Sequence, residues 1–180
     1  MRRDQLEHAI RAACAILGAD DVIVVGSQSI LGTWDEDELP ERATRSNEAD
    51  ILPIASDQGS VTELADRLEG AAGELSQFHR THGFYLDGAD LTTSVLPSHW
   101  RSRLVAVRNA STNGHTGWCL EPHDLGIAKL IAHREKDTAF VAALIEHRLL
   151  DPKLLRRRIE TIPEGHAAQA VRAISWLSRF

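Results

Sequence analysis

Leu6, Ala9, Ile10, Ala13 and Leu17 recur at intervals of three and four, so residues 4–17 are predicted to form an amphipathic helix that stops at Gly18. Val22-Ile23-Val24-Val25 follows with no alternation, which predicts a strand covered on both faces. Gly26-Ser27 then turns the chain into a short helix over Gln28–Leu31 whose first amides point back at the turn. Residues 33–47 are polar and acidic, contain Pro40 and read as an exposed loop; a second strand spans 48–54 and ends near Pro53. Val61, Leu64, Leu68, Ala71 and Leu75 mark a helix over 60–77. Two strands, 84–86 and 92–96, are expected to pair through an Asp87-Gly88 hairpin turn, with a short strand or two between 98 and 119, around 104–107. From Pro122 onward the pattern is helical, carried by Leu125, Ala128 and Ile131, then Phe140, Val141, Leu144 and Ile145, with helical segments at 152–160 and 164–178. The order predicts an α/β fold, a mixed sheet flanked by helices, with a core over 1–120 and a helical C-terminal region over 121–180 packed on it.

Composition changes this picture little, whereas the placement of charge changes it more. Apolar residues at 43% and charged residues at 26% are ordinary for a globular chain. No apolar run is long enough to span a bilayer, and Met1-Arg2-Arg3-Asp4 leads into the first helix without a signal-peptide pattern, so a cytoplasmic protein with no membrane contact is expected. Cys14 and Cys119 lie far apart in no CxxC pattern, which argues against a zinc site or a disulfide framework. Residues 1–99 carry 7 Lys+Arg against 18 Asp+Glu, net −11; residues 100–180 carry 13 against 8, net +5. A basic half beside an acidic half can hold a polyanion next to a metal, or can be two solvated surfaces.

Two constellations carry candidate chemistry. Glu48 and Asp50 stand at i and i+2 on a strand, hence on one face, where two hard oxygen ligands can share a cation. The Gly26-Ser27 turn ends the preceding strand with amides able to hold phosphate. Further on, Lys129, His133, Lys136 and Asp137 share a face if their helix is continuous, and can converge from two helices if it breaks near His133. No G-x-S-x-G, P-loop or G-x-G-x-x-G occurs, which counts against hydrolase, kinase and Rossmann readings. Of nine histidines, His79 and His82 are the closest to a ligand spacing, but no third ligand accompanies them; either could reach a base or ribose. Trp34, in the acidic loop, is expected to be exposed, as a lid or partner anchor.

The Gly26-Ser27 turn followed by Arg45-Ser46-x-Glu48-Ala49-Asp50 resembles the signature of the nucleotidyltransferase superfamily, whose fold is that of polymerase β. The segment from Cys119 to Asp137 is similar to the second conserved region of bacterial AbiEii/MenT toxin-like proteins, an acidic-Leu step followed by Lys and then Arg-x-Lys-Asp. The resemblance runs from about Val22 to about Leu150 and takes in Leu96-Pro97-x-x-Trp100. It implies transfer of a nucleotide from a nucleoside triphosphate with magnesium or manganese, onto an acceptor that in some members is the 3′ end of transfer RNA, and a toxin role with an antitoxin protein as partner. It implies Glu48 and Asp50 as metal ligands and, with Lys129, as catalytic residues; Gly26, Ser27, Lys129, Arg134, Lys136 and Asp137 would contact the nucleotide. Two departures stand out. Twenty residues, Gln28 to Asn47, separate the turn from the first acid, so 33–47 reads as an insertion. The strand that should supply a third carboxylate, Thr92-Thr93-Ser94-Val95-Leu96, has no acid, and Asp87 and Asp90 fall in the predicted turn. A catalytically inactive module that binds nucleotide, RNA or a protein partner is therefore the rival reading.

Overall fold

The computed structural model describes residues 1–55, 57–90 and 94–180. Helix α1 (Arg3–Leu17) buries Leu6, Ala9, Ile10, Ala13 and Leu17 and ends where Gly18 turns left-handed, as the spacing predicts. Strand β1 (Asp21–Val25) has Val22 through Val25 all buried, and a 3-10 turn over Ser27–Gly32 follows it. The loop expected to be exposed instead folds back: α2 (Glu41–Thr44) lies within it, and Leu39 and Ala43 are buried. Trp34 is likewise partly buried against the core rather than free in solvent. Two buried apolar side chains outweigh the loop's acidic character, which a reading of net polarity could not detect.

Strand β2 (Glu48–Leu52) comes next, then α3 (Gln58–Ala72) and α4 (Gln77–His82), two helices where the sequence predicts one. The break falls at Gly73, and Ser76 restarts the chain as an N-cap by accepting from the His79 amide. Strand β3 (Tyr85–Gly88) corrects the hairpin prediction: Asp87-Gly88 is strand, paired parallel to β2, with Asp50 opposite Asp87 and Ile51 opposite Gly88. Asp-Gly favours a tight turn, but here Gly88 serves contact; a Cβ on it would sit 2.6 Å from the Ala65 carbonyl oxygen of α3. Of the strand expected at 92–96, residues 92 and 93 lie outside the described residues and 94–96 are not strand. Strands β4 (Val105–Val107) and β5 (Thr116–Cys119) both fall in the stretch where short strands are predicted.

The sheet order is β3-β2-β1-β5-β4, with β1–β2 and β4–β5 antiparallel and β1–β5 and β2–β3 parallel. Alternation assigns the two faces. Val24 and Ile51 share a face with Gly88, and α1 and α3 cover it; Val25, Asp50 and Asp87 point the other way. Helices α5 (Pro122–Ala132), α6 (Glu135–Glu146), α7 (Pro152–Ile159) and α8 (Ala167–Leu177) complete the chain, so the predicted mixed sheet with flanking helices and a helical C-terminal region is observed. None of the described helices is long and apolar enough to cross a membrane.

A buried ionic knot ties α5 and α7 to the segment before β4. The fully buried Asp124 carboxylate accepts from Arg103 and Arg158, each at 2.8 Å, and Arg158 also bonds Glu121. Burial alone would push Glu121 up, but His123 and Arg158 outweigh it and hold the group at about 2. Removing Arg158 leaves Asp124 with Arg103 and Glu121 with His123 but takes a charged hydrogen bond from each, so Arg158→Ala is expected to cost about 2–3 kcal/mol. Urea unfolding at neutral pH measures this. Because the folded value of Glu121 is depressed, its contribution is present above about pH 4.5 and is lost as pH falls toward about 2, so the gap between wild type and variant should shrink in acid. A loss below about 1 kcal/mol would show that the knot is not what holds α7 in place.

Candidate functional site

Two strands deliver three carboxylates to the sheet face that α1 and α3 leave open. Glu48 and Asp50 project together from β2 by strand alternation, and the parallel register of β3 sets Asp87 beside Asp50. One oxygen from each of Glu48, Asp50 and Asp87 lies within 4.8 Å of the others. This is the third acid that the sequence reading missed. Its signal was present in Tyr85-Leu86-Asp87, but an Asp-Gly pair after a short apolar run reads locally as a turn.

At the end of β1, Gly26 takes φ 64 and ψ −171. Two constraints meet there. That backbone region is essentially closed to residues with a side chain, and a Cβ would sit 1.8 Å from Asp50 Oδ2. The carboxylate thus rests directly over the Gly26-Ser27 turn, with Ser29 Oγ donating to the Gly26 carbonyl at 2.9 Å to hold the bend.

The acids crowd one another. Burial, then Glu48, raises Asp50 to about 7, with Asp87 adding and Lys129 opposing; burial, Glu48 and Glu69 raise Asp87 to about 6. Such a cluster is poised to take up a hard cation, because a dication would replace mutual repulsion by attraction. The donor set, oxygen only with no sulfur or imidazole within it, suits a hard divalent cation.

Cations face the acids across a cavity of about 660 Å³. The helix expected to carry Lys129, His133, Lys136 and Asp137 breaks at His133, which turns left-handed (φ 57) between α5 and α6. Lys129 Nζ nevertheless comes within 3.4 Å of Asp137 Oδ1, and Arg134 Nε donates to Asp137 Oδ2 at 2.6 Å. Burial would raise the Asp137 carboxyl, yet Arg134 and Lys129 hold it below the usual range, so it is an anion that aims two cations. Lys136 also lines the cavity, whereas His133 does not. Among the described residues the cavity therefore has an acidic wall from β2, β3 and α3 and a basic wall from α5, α6 and the α2 region. Arg42 and Arg45 complete that basic wall. Neither was assigned from sequence, because the loop that carries them reads as solvated.

Other expectations resolve away from the cavity. His79 and His82 make ring contacts instead: His82 meets His8 edge-on at 4.4 Å, and His79 packs tilted against Tyr85 at 4.9 Å. Cys14 and Cys119 are buried free thiols, which burial raises to about 11 and about 12, so neither is an activated nucleophile.

No curated protein and no solved structure matches this chain. A family model does: the one described as "Nucleotidyltransferase of unknown function (DUF6036)" matches residues 4–176. That span includes the Gly26-Ser27 turn, all three carboxylates and both cavity walls, so the chain belongs to this nucleotidyltransferase family.

Proposed function

We propose that the protein transfers a nucleotide from a nucleoside triphosphate to a hydroxyl acceptor, with magnesium or manganese held by Glu48, Asp50 and Asp87. The observation that carries the reading is the meeting of three carboxylates over a Gly-Ser turn, opposite a basic wall. When bound, the metal offsets charge on the transferring phosphoryl group and lowers the pKa of the attacking hydroxyl. The Ser27 amide and hydroxyl hold the terminal phosphates, and Lys129, Arg134 and Lys136 balance their charge, with Asp137 orienting Lys129 and Arg134. The acceptor hydroxyl releases its proton to solvent as its oxygen attacks the α-phosphorus, the bond to the bridging oxygen breaks, and pyrophosphate leaves. The basic C-terminal half and the two arginines of the α2 region fit RNA, with the transfer RNA 3′ end as the acceptor suggested by the AbiEii/MenT resemblance. In that resemblance lies also the suggestion of a toxin countered by an antitoxin. The rival reading, an inactive binding module, rests on a missing third acid, and Asp87 removes that ground.

Incubation with each α-labelled triphosphate, magnesium and total RNA tests the reading: label should enter RNA. Triphosphate binding by calorimetry with no labelled macromolecule would instead support the inactive module. A second prediction concerns the cation. Asp50 and Asp87 have folded values raised to about 7 and about 6, so the metal-free fold loses stability as pH rises from about 4 through about 7, where the carboxylates ionise against each other. Cation binding needs those charges. Magnesium at about a hundred times its dissociation constant is therefore expected to raise Tm by roughly 5–10 °C at pH ~8 and by much less at pH ~5. Differential scanning fluorimetry decides; a shift independent of pH would mean the ion binds elsewhere.

A further inference from the structure

The parallel register that sets Asp87 beside Asp50 also sets Tyr85 beside Glu48, and Tyr85 Oη donates to Glu48 Oε2 at 3.3 Å. A phenol carries its proton at neutral pH, so Tyr85 is the donor in this pair and the Glu48 carboxylate the acceptor. Its ring is backed by His79, with centroids 4.9 Å apart. His79 is pinned in turn, since the Leu75 amide donates to its Nδ1 at 3.1 Å and its own amide donates to Ser76 Oγ at 3.1 Å. Tyr85 is thus a fixed donor on one of the two Glu48 oxygens.

That arrangement bears on which cation the cluster prefers. Calcium takes six to eight oxygens and often binds a carboxylate through both, whereas magnesium takes six in tight octahedral geometry and uses one oxygen per carboxylate. A carboxylate with one oxygen occupied by a phenol offers a cation the other. We propose that Tyr85 is a positioning residue that limits Glu48 to a single-oxygen contact and so makes the cluster select magnesium or manganese over calcium. The proposal rests on the reading of Glu48, Asp50 and Asp87 as metal ligands. Tyr85 lies outside the residues assigned to nucleotide or metal above, and its effect is exerted through Glu48.

The test is direct cation binding to the full chain, without nucleotide: manganese titration followed by electron paramagnetic resonance, with magnesium and calcium as competitors. Outer-sphere partners of this kind change metal affinity by about 10–100-fold when removed. Tyr85→Phe, which deletes one oxygen and keeps the ring, is expected to weaken manganese and magnesium about tenfold while calcium changes little, which narrows the magnesium-over-calcium preference by the same factor. His79→Ala, which unbacks the ring, should give a smaller change in the same direction. An unchanged preference in a folded Tyr85→Phe protein overturns the proposal and leaves the ligand assignment standing. Wild-type protein that binds neither manganese nor magnesium, or binds manganese equally after Asp50→Asn, overturns both.

Discussion

Asp50→Asn is expected to lower nucleotide transfer by about a thousandfold or more while leaving the protein folded. The reason is electrostatic. A metal ion at a transferring phosphoryl group supplies several kcal/mol of transition-state stabilisation, and each 1.36 kcal/mol is tenfold in rate. Asp50 shares the acid cluster with Glu48 on its own strand and Asp87 on the next, so a neutral amide there removes one of the three charges available to a cation. Loss of activity through unfolding is separable. Burial and like charges raise Asp50 to about 7, so the metal-free wild type is destabilised above that pH, and the amide relieves it. Metal-free Asp50→Asn should therefore melt at or above the wild-type temperature at pH ~8, and magnesium should no longer raise it. Transfer of labelled nucleotide at the wild-type rate by Asp50→Asn would end the proposed function.

Gly26→Ala should fail in both fold and activity, and it isolates the turn from the acids. At φ 64 and ψ −171 a residue with a side chain pays about 1–3 kcal/mol of backbone strain. The added methyl also has nowhere to go, since Asp50 Oδ2 lies 1.8 Å from its position. Asp50 must move, so the acid cluster loses its shape even where the fold survives. The expected result is a Tm lowered by roughly 5–10 °C, from the strain plus displacement at about 2–4 °C per kcal/mol, together with loss of metal binding and transfer. Gly18→Ala is the control. Gly18 has φ 68, but a Cβ there meets nothing within 4 Å. It should cost about 1 kcal/mol and leave transfer intact. Equal activity in Gly26→Ala and Gly18→Ala would mean that Asp50 does not need its seat on the turn.

The elements that could be read from the chain share one property: their evidence lies within a few residues. The three- and four-residue spacing of α1, the buried run of β1 and the left-handed stop at Gly18 are local facts. The pairing of Glu48 with Asp50 is also local, because the two-residue period of a strand requires it wherever the strand goes. The errors share the opposite property. Asp87-Gly88 reads as a turn because the partner that makes it a strand, β2, lies more than thirty residues earlier in the chain. The loop at 33–47 reads as solvated because what Leu39 and Ala43 pack against comes from elsewhere in the fold.

For the site, then, the chain alone specifies a pair of acids, a phosphate-sized turn and a set of cations, since residue type and short-range periodicity are written into it. Their assembly into one cavity was decided by tertiary structure. Parallel register brought Asp87 to Asp50, the break at His133 let Lys129 and Arg134 meet on Asp137, and burial of the loop turned Arg42 and Arg45 toward the same space. Each of these contacts joins residues through the pairing or packing of whole elements, and that free energy belongs to the fold and not to any short stretch of sequence.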